Sequence, residues 1–356
     1  MQSVKEYKDL VIKIGSSLFC SKDNTLDYGI INSIAEDILS LLKEGRRVTV
    51  VSSGAIAMGM SALGFKERPG KLYDLQAAAA IGQNELMNVY RNAFKAKGFM
   101  AAQVLLTWED FDDRKRYLNA KNTLSALLKR KVVPVINEND TVSTDEIKFG
   151  DNDQLSARVA SLLNADMLII LSDVDGLMDK AKSVISVVDK ITPQIKSLAC
   201  PTSKKTCVGG MITKIEAAKI ATGSGVSCVI ANGRKKGIIS KAVSDPALSG
   251  TLFIADNSGL ASKQRWIAYG TRPKARIIID EGAKAALLNK KSLLSVGVTG
   301  FIGAFASGDT VSVFSVKENQ EIARGKACIS SKDLDRVKGK HSDKEVIHRD
   351  NIAILG

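Results

Sequence analysis

Histidine is nearly absent from this chain: 356 residues contain two, His341 and His348, both close to the C-terminal end. That scarcity excludes most histidine-based acid–base mechanisms and most zinc sites. Cysteine is sparse as well. Five scattered cysteines with no C-x-x-C spacing build no disulfide framework, and they fit a reducing, cytoplasmic setting. Aromatic residues make up 5% of the chain, too few to supply stacking platforms for single-stranded nucleic acid. Long apolar runs are missing too. Residues 48–65 and 292–308 are free of charge, but they hold seven and eight Gly, Ser or Thr and read as loops and strand edges, not bilayer spans. The opening Met1-Gln2-Ser3-Val4-Lys5-Glu6 puts charge where a signal peptide needs apolar residues. No G-x-x-x-x-G-K-[ST] occurs, which argues against a P-loop enzyme. Gly223-Ser224-Gly225 follows a helix-like segment and meets Cys228 where a dinucleotide fingerprint needs a small residue. His348-Arg349-Asp350 imitates a protein-kinase catalytic loop, yet Leu355 occupies the position of the required asparagine.

The remaining composition is that of an ordinary globular protein, with 45% apolar and 25% charged residues. Its length suggests two domains. Lys and Arg number 51 against 38 Asp and Glu, a net charge of +13 that serves solubility or the binding of anions, nucleic acid included.

Over the first 230 residues strand-like and helix-like segments alternate, which predicts an α/β fold with a mainly parallel sheet. Leu10-Val11-Ile12-Lys13-Ile14 is an apolar run ending at Gly15-Ser16-Ser17. Ile31, Ile34, Ala35, Ile38 and Leu42 then fall on one helical face. Further strands are expected at residues 47–51, 102–106, 132–136, 167–171 and 227–230, with helices at 72–97, up to about 130, 151–163 and 213–222. After Asp256 the pattern changes. Residues 257–269 are polar and turn-rich, and short strand-like pieces at 276–279, 311–316 and 322–326 follow. The expected organisation is a first domain over 1–256, a linker over 257–272 and a small β-rich domain over 273–356.

Each strand of the first domain runs into a small or polar cluster, and ligands of open α/β sheets bind beyond the carboxyl ends of the strands. Gly15-Ser16-Ser17, Ser52-Ser53-Gly54-Ala55, Asn137–Asp140 and Ser172-Asp173 are therefore candidates to converge. Taken singly, each is better read as a plain strand-to-helix turn. Lys13 lies inside an apolar strand, where an ammonium group is costly unless it is paired or meets an anion. Gly209-Gly210-Met211-Ile212-Thr213-Lys214 opens a helix whose first amides suit a phosphate, with Lys214 within its first turn.

Taken together, the motifs "VIKIGSS", "VSSGAIAMG", "AAIGQ", "LLTWEDFDDRKRYLNAKNTL", "VPVINENDTVSTDEIKFGDNDQLSA" and "GGMITKIEAA" resemble the amino-acid kinase family, in particular its members that phosphorylate glutamate. "ARIIIDEGAKAAL" and "GVTGFIGAFASGD" resemble a PUA domain. The resemblance implies an open three-layer αβα sandwich followed by a small β-rich PUA pseudo-barrel. It implies ATP-dependent phosphorylation of the side-chain carboxylate of L-glutamate to L-glutamyl 5-phosphate, the first step of proline biosynthesis, with Mg²⁺ accompanying ATP. By the same resemblance Lys13, Lys214 and Asp153 are the catalytic group. Ser53, Gly54, Ala55, Asn137, Asp140 and Asn152 bind glutamate. Lys13, Gly15, Ser172, Asp173 and the run Val208, Gly209, Gly210, Met211, Ile212, Thr213 and Lys214 bind nucleotide, and no protein-bound metal site is expected. A cytoplasmic homo-oligomer (dimer or tetramer) open to inhibition by proline is implied, with no membrane association and with RNA binding by the PUA domain as a side activity. Two departures stand out: Cys207 where the family has glycine, and Met178-Asp179-Lys180-Ala181 in place of the run expected on the adenine side. Two alternatives stay open, a kinase of the same fold acting on aspartate, acetylglutamate, carbamate or UMP, and an RNA-binding protein with a vestigial kinase site.

Overall fold

A computed structural model describes residues 6–19, 27–142, 151–199, 210–256, 260–340 and 345–355. The chain divides into two compact units, Met1–Asp256 and Asn257–Gly356.

The strands of the first unit are β1 (Asp9–Ile14), β2 (Arg47–Ser52), β3 (Met100–Leu106), β4 (Val132–Glu138), β5 (Met167–Ser172), β6 (Val187–Val188), β7 (Ser227–Asn232) and β8 (Gly250–Phe253). They form one sheet in the order β3-β4-β2-β1-β5-β7-β8-β6. From β3 to β7 every pairing is parallel, and β8 runs antiparallel to β7. A parallel sheet is covered on both faces, so its central strands are continuous apolar runs, as Leu10–Ile14 and Met167–Leu171 are. The helices are α1 (Tyr28–Lys43), α2 (Ala55–Ala62), α3 (Leu72–Lys95), the single turn α4 (Glu109–Asp112), α5 (Arg114–Lys129), α6 (Asp151–Leu163), α7 (Pro193–Ser197), α8 (Met211–Gly223) and α9 (Ile238–Ser244). Helices α1, α3 and α9 share one core with Leu10, Ile12 and Ile14 of β1. Because strand side chains alternate, Val11 and Lys13 take the opposite face, where α6 and α8 pack. The layering is therefore αβα. This alternation alone decides that Lys13 meets α6.

One sequence expectation fails here. Residues 48–65, read as loops and strand edges, contain helix α2. Its residues Ala55-Ile56-Ala57-Met58-Gly59-Met60 are apolar or small on every side, so no amphipathic period marks them. The helix exists because it is pressed backbone-close against α3. A Cβ on Gly59 would lie 1.7 Å from the carbonyl oxygen of Ala78, and one on Gly82 would lie 1.8 Å from that of Ala55. Its entry is equally constrained: Gly54 has φ +104°, and a Cβ there would touch the Phe19 ring at 2.9 Å.

The second unit has a five-stranded sheet in the order β11-β9-β12-β13-β15 and a two-stranded one, β10-β14. The ranges are β9 (Ala275–Ile279), β10 (Leu293–Leu294), β11 (Val298–Ile302), β12 (Thr310–Ser315), β13 (Glu321–Lys326), β14 (Glu345–Ile347) and β15 (Ile352–Ile354). Ile277, Ile279, Leu287, Val311, Val313 and Ile347 form its core. The stretch expected as a linker contributes to this unit: after the turn Ser262–Arg265, Trp266–Gly270 coils as a π-helix with Trp266 and Ile267 buried. Lys326 Nζ sits 4.8 Å from the centre of the Trp266 ring, and Arg324 donates to the carbonyl oxygen of Ala268 at 2.7 Å.

Candidate functional site

At the carboxyl edge of the parallel strands the polar clusters meet. Gly15 N donates to Leu171 O at 3.0 Å, Ser53 N to Ile14 O at 3.1 Å, and Gly233 N to Ser172 O at 2.8 Å, so the ends of β1, β2, β5 and β7 are tied together. Gly15 thus uses its amide within the sheet, and it is small because a Cβ would crowd Leu171 O at 3.0 Å.

On the α6/α8 side stands a charged group. Lys13 Nζ lies 2.6 Å from Asp153 Oδ1, and Lys214 Nζ lies 3.4 Å from Asp153 Oδ2. The Thr213 hydroxyl also reaches Asp153 Oδ2, at 2.7 Å. Asp153 is 0% exposed and both lysines 5%. Burial by itself would raise the Asp153 carboxyl, but the two ammonium groups and the bonds from Lys13 and Thr213 outweigh it and hold the pKa at about 2. Burial lowers the Lys13 ammonium, opposed by Asp153 and assisted by Lys214. Two cations around one carboxylate leave a net positive charge in a closed space, which an anion complements. Gly210 caps α8 and Lys214 belongs to its first turn, so the helix dipole adds to the same field. Met211 and Ile212 begin that helix. Val208 and Gly209 lie outside the described residues, as do Cys207 and residues 143–150. Ser172 is buried with its hydroxyl 3.2 Å from Asp173 Oδ1, and Asp173 is exposed at the edge.

Beside this group lies a neutral one. Asn152 Nδ2 donates to Ser53 Oγ at 3.1 Å and to Asn137 Oδ1 at 3.0 Å. Asn137 Nδ2 donates in turn to Gln83 Oε1 at 2.8 Å. Asn152 and Asp153 are neighbours at the start of α6, so one helix serves both groups. Asp140 follows β4, half-buried, and acts electrostatically on the Arg68 guanidinium, which burial lowers. The Gly54–Ala55 entry places the first amides of α2 next to Ser53, where helix-initial N–H groups have no intrahelical partner. Gln83 has no role in the sequence reading beyond its place in "AAIGQ". Its signal was available, an amide directly after the glycine that presses α3 onto α2.

A buried pair of lysines beside amides and helix-initial N–H groups defines a class, an enzyme that brings two anions together, as a kinase does. The description "Amino acid kinase family" matches residues 8–232 and "PUA domain" matches residues 275–348. The chain belongs to the amino acid kinase family. It is 43% identical to the glutamate 5-kinase of Thermoanaerobacter sp. (strain X514), with 97% of each chain covered. It is 42% identical to the glutamate 5-kinases of Syntrophotalea carbinolica, over 99% of this chain and 98% of that one, and of Paraburkholderia phymatum, over 99% of each. Among the described residues no helix is long and apolar enough to cross a membrane.

Proposed function

We infer that this chain is a glutamate 5-kinase that transfers the γ-phosphoryl group of ATP to the side-chain carboxylate of L-glutamate, the first step of proline biosynthesis. The observation that carries the reading is the enclosed Lys13–Asp153–Lys214 group beside the Ser53–Asn137–Asn152 amides. A carboxylate with a reference pKa near 4.3 is already ionised at neutral pH and needs no general base, which suits a site without histidine. One carboxylate oxygen attacks the γ-phosphorus, the bond to the ADP oxygen breaks, and no proton moves. Catalysis is then alignment and charge stabilisation. Lys13 and Lys214 flank the transferred group, and Asp153 fixes both ammonium groups. Asp140 receives the α-ammonium of glutamate. Ser53, Gly54 and Ala55 orient its carboxylates, with Asn137 and Asn152 as supports. Ser172, Asp173 and the start of α8 hold the nucleotide.

Mg²⁺ belongs to the reaction as the partner of the nucleotide. Asp153, the buried carboxylate at the centre, is committed to two lysines and Thr213, and no group of three or more His, Cys, Asp or Glu among the described residues could hold a metal. This donor set fits an ion carried by phosphate oxygens, whose charge it neutralises when bound. We place the enzyme in the cytoplasm as a homo-oligomer, on the cysteine pattern and the family resemblance.

The test is a coupled assay of ATP turnover with and without L-glutamate, run beside aspartate, acetylglutamate, carbamate and UMP. Glutamate-dependent turnover is expected. Preference for another acceptor would refute the assignment, and salt-sensitive RNA binding without turnover would favour the alternative seated in the second unit.

A further inference from the structure

We propose that Gln83 is a positioning residue for the amino-acid substrate, acting through Asn137 and Asn152; this rests on the kinase reading above. A backbone N–H can only donate, and Glu138 N donates to the Asn137 side chain at 2.9 Å. The facing atom of Asn137 is therefore its oxygen, which makes the other end of that amide the donor to Gln83. The same oxygen accepts from Asn152 Nδ2, so the remaining atom of Asn152 is Oδ1, an acceptor. Asn152 Nδ2 also donates to Ser53 Oγ, leaving the serine's own proton to be given elsewhere. Two locks, the Glu138 amide on one side and Gln83 on the other, thus hold Asn137 in one orientation. That orientation makes Asn152 present an acceptor, suited to an ammonium, and Ser53 a donor, suited to a carboxylate oxygen. An α-amino acid carries both.

Two observations say that Gln83 serves this and not stability. Its Nε2 is enclosed with no hydrogen-bond partner among the described residues, and so is Asn152 Oδ1. An enclosed unpaired donor is a cost to the fold, and an apolar side chain would avoid it. The position is also tightly held: Gly82, the preceding residue, lets α3 approach the carbonyl oxygen of Ala55 where any Cβ would clash at 1.8 Å. A backbone-close point of the α2–α3 contact therefore delivers the glutamine to Asn137.

The experiment compares wild type, Gln83→Leu and Gln83→Glu by steady-state kinetics in both substrates, with thermal melting as the control for folding. The leucine variant removes the acceptor for Asn137. Its KM for glutamate should rise roughly tenfold, the scale of one buried amide left unpaired, with kcat and the KM for ATP changed far less. The glutamate variant keeps an acceptor toward Asn137 and should recover most of the lost affinity. A folded leucine variant with an unchanged KM for glutamate overturns the proposal, as does a glutamate variant as impaired as the leucine one. If the leucine variant does not fold, the glutamate variant decides alone: a KM near wild type supports the proposal and a tenfold rise refutes it. A wild type without glutamate-dependent turnover overturns the kinase reading itself, and is told apart because it precedes any comparison of variants.

Discussion

The two halves of the site are built on opposite principles. Around Asp153 three ionised groups are buried together, and the arrangement holds only because each charge answers another. Around Asn137 all groups are neutral, and the arrangement holds because donors and acceptors alternate without conflict. In the proposed reaction the charged half supplies the force needed where two anions meet, and the neutral half supplies orientation. Helix α6 enters both through adjacent residues, Asn152 and Asp153, so a shift of one turn would disturb force and orientation together.

Asp153→Asn should have the largest effect, since it strands two ammonium groups in a closed space. Losing one partner of a buried ion pair costs about 3–5 kcal/mol, so a marked fall in thermal midpoint and loss of turnover are expected. A stable, active variant would show that the lysines do not depend on it. Next is Lys214→Ala, which removes the proposed contact to charge developing in transfer. Turnover should drop on the order of a hundred- to a thousandfold with the KM for glutamate little changed. Near-normal turnover in a folded protein would take Lys214 out of the mechanism.

Asp140→Asn tests the proposed contact with the substrate's ammonium. Glutamate affinity should weaken by roughly tenfold, while isothermal titration finds ATP binding unaltered. Collapse of ATP affinity instead would assign Asp140 to the nucleotide. A smaller effect is expected from pH. Asp153, held at about 2, stays ionised from neutrality down through the ordinary carboxylate range, and what its depressed pKa adds to stability is full above the ordinary value of 3.8 and is lost progressively as pH falls from there to about 2. Burial lowers Lys13, so its charge goes at a pH below its ordinary 10.5, and kcat/KM for ATP should fall there as pH rises. No imidazole step is expected in the profile, since no histidine lies at the site among the described residues. Saturating ATP should move the alkaline limb upward, and a limb unmoved by ATP would separate Lys13 from the phosphates. The smallest effect on chemistry is expected from ending the chain at Asp256, ahead of the Trp266–Gly270 coil that packs within the second unit. A folded fragment without glutamate-dependent turnover would show that the second unit takes part in the reaction.

Much of the scaffold could be read from the residues because a parallel sheet writes itself plainly, in short apolar runs ending at Gly, Ser or Asn. Lys13 stood out because it is a charge inside such a run, and Lys214 because it opens a helix after paired glycines. Helix α2 was not legible: Ala, Ile, Met and Gly without polar interruption carry no period, and its helicity comes from packing on α3. The coil over Trp266–Gly270 was hidden in the same way, since its polar neighbours suggested a connection and only burial against β13 and β15 gives it structure.

The sequence alone thus determined which residues carry charge, where the strands stop, and that most histidine-based acid–base mechanisms are excluded. Which charge meets which was decided by the tertiary structure. Strand alternation turned Lys13 toward α6, and the packing of α6 against α8 brought Asp153 between two lysines that are 201 positions apart in the chain. The direction of the hydrogen bonds from Gln83 to Ser53 was decided there too, by the backbone N–H of Glu138 on one side of Asn137 and the Gln83 oxygen on the other. Composition and period are local properties of a chain, whereas a pairing of charges or the polarity of an amide relay exists only once distant segments are within bonding distance of each other.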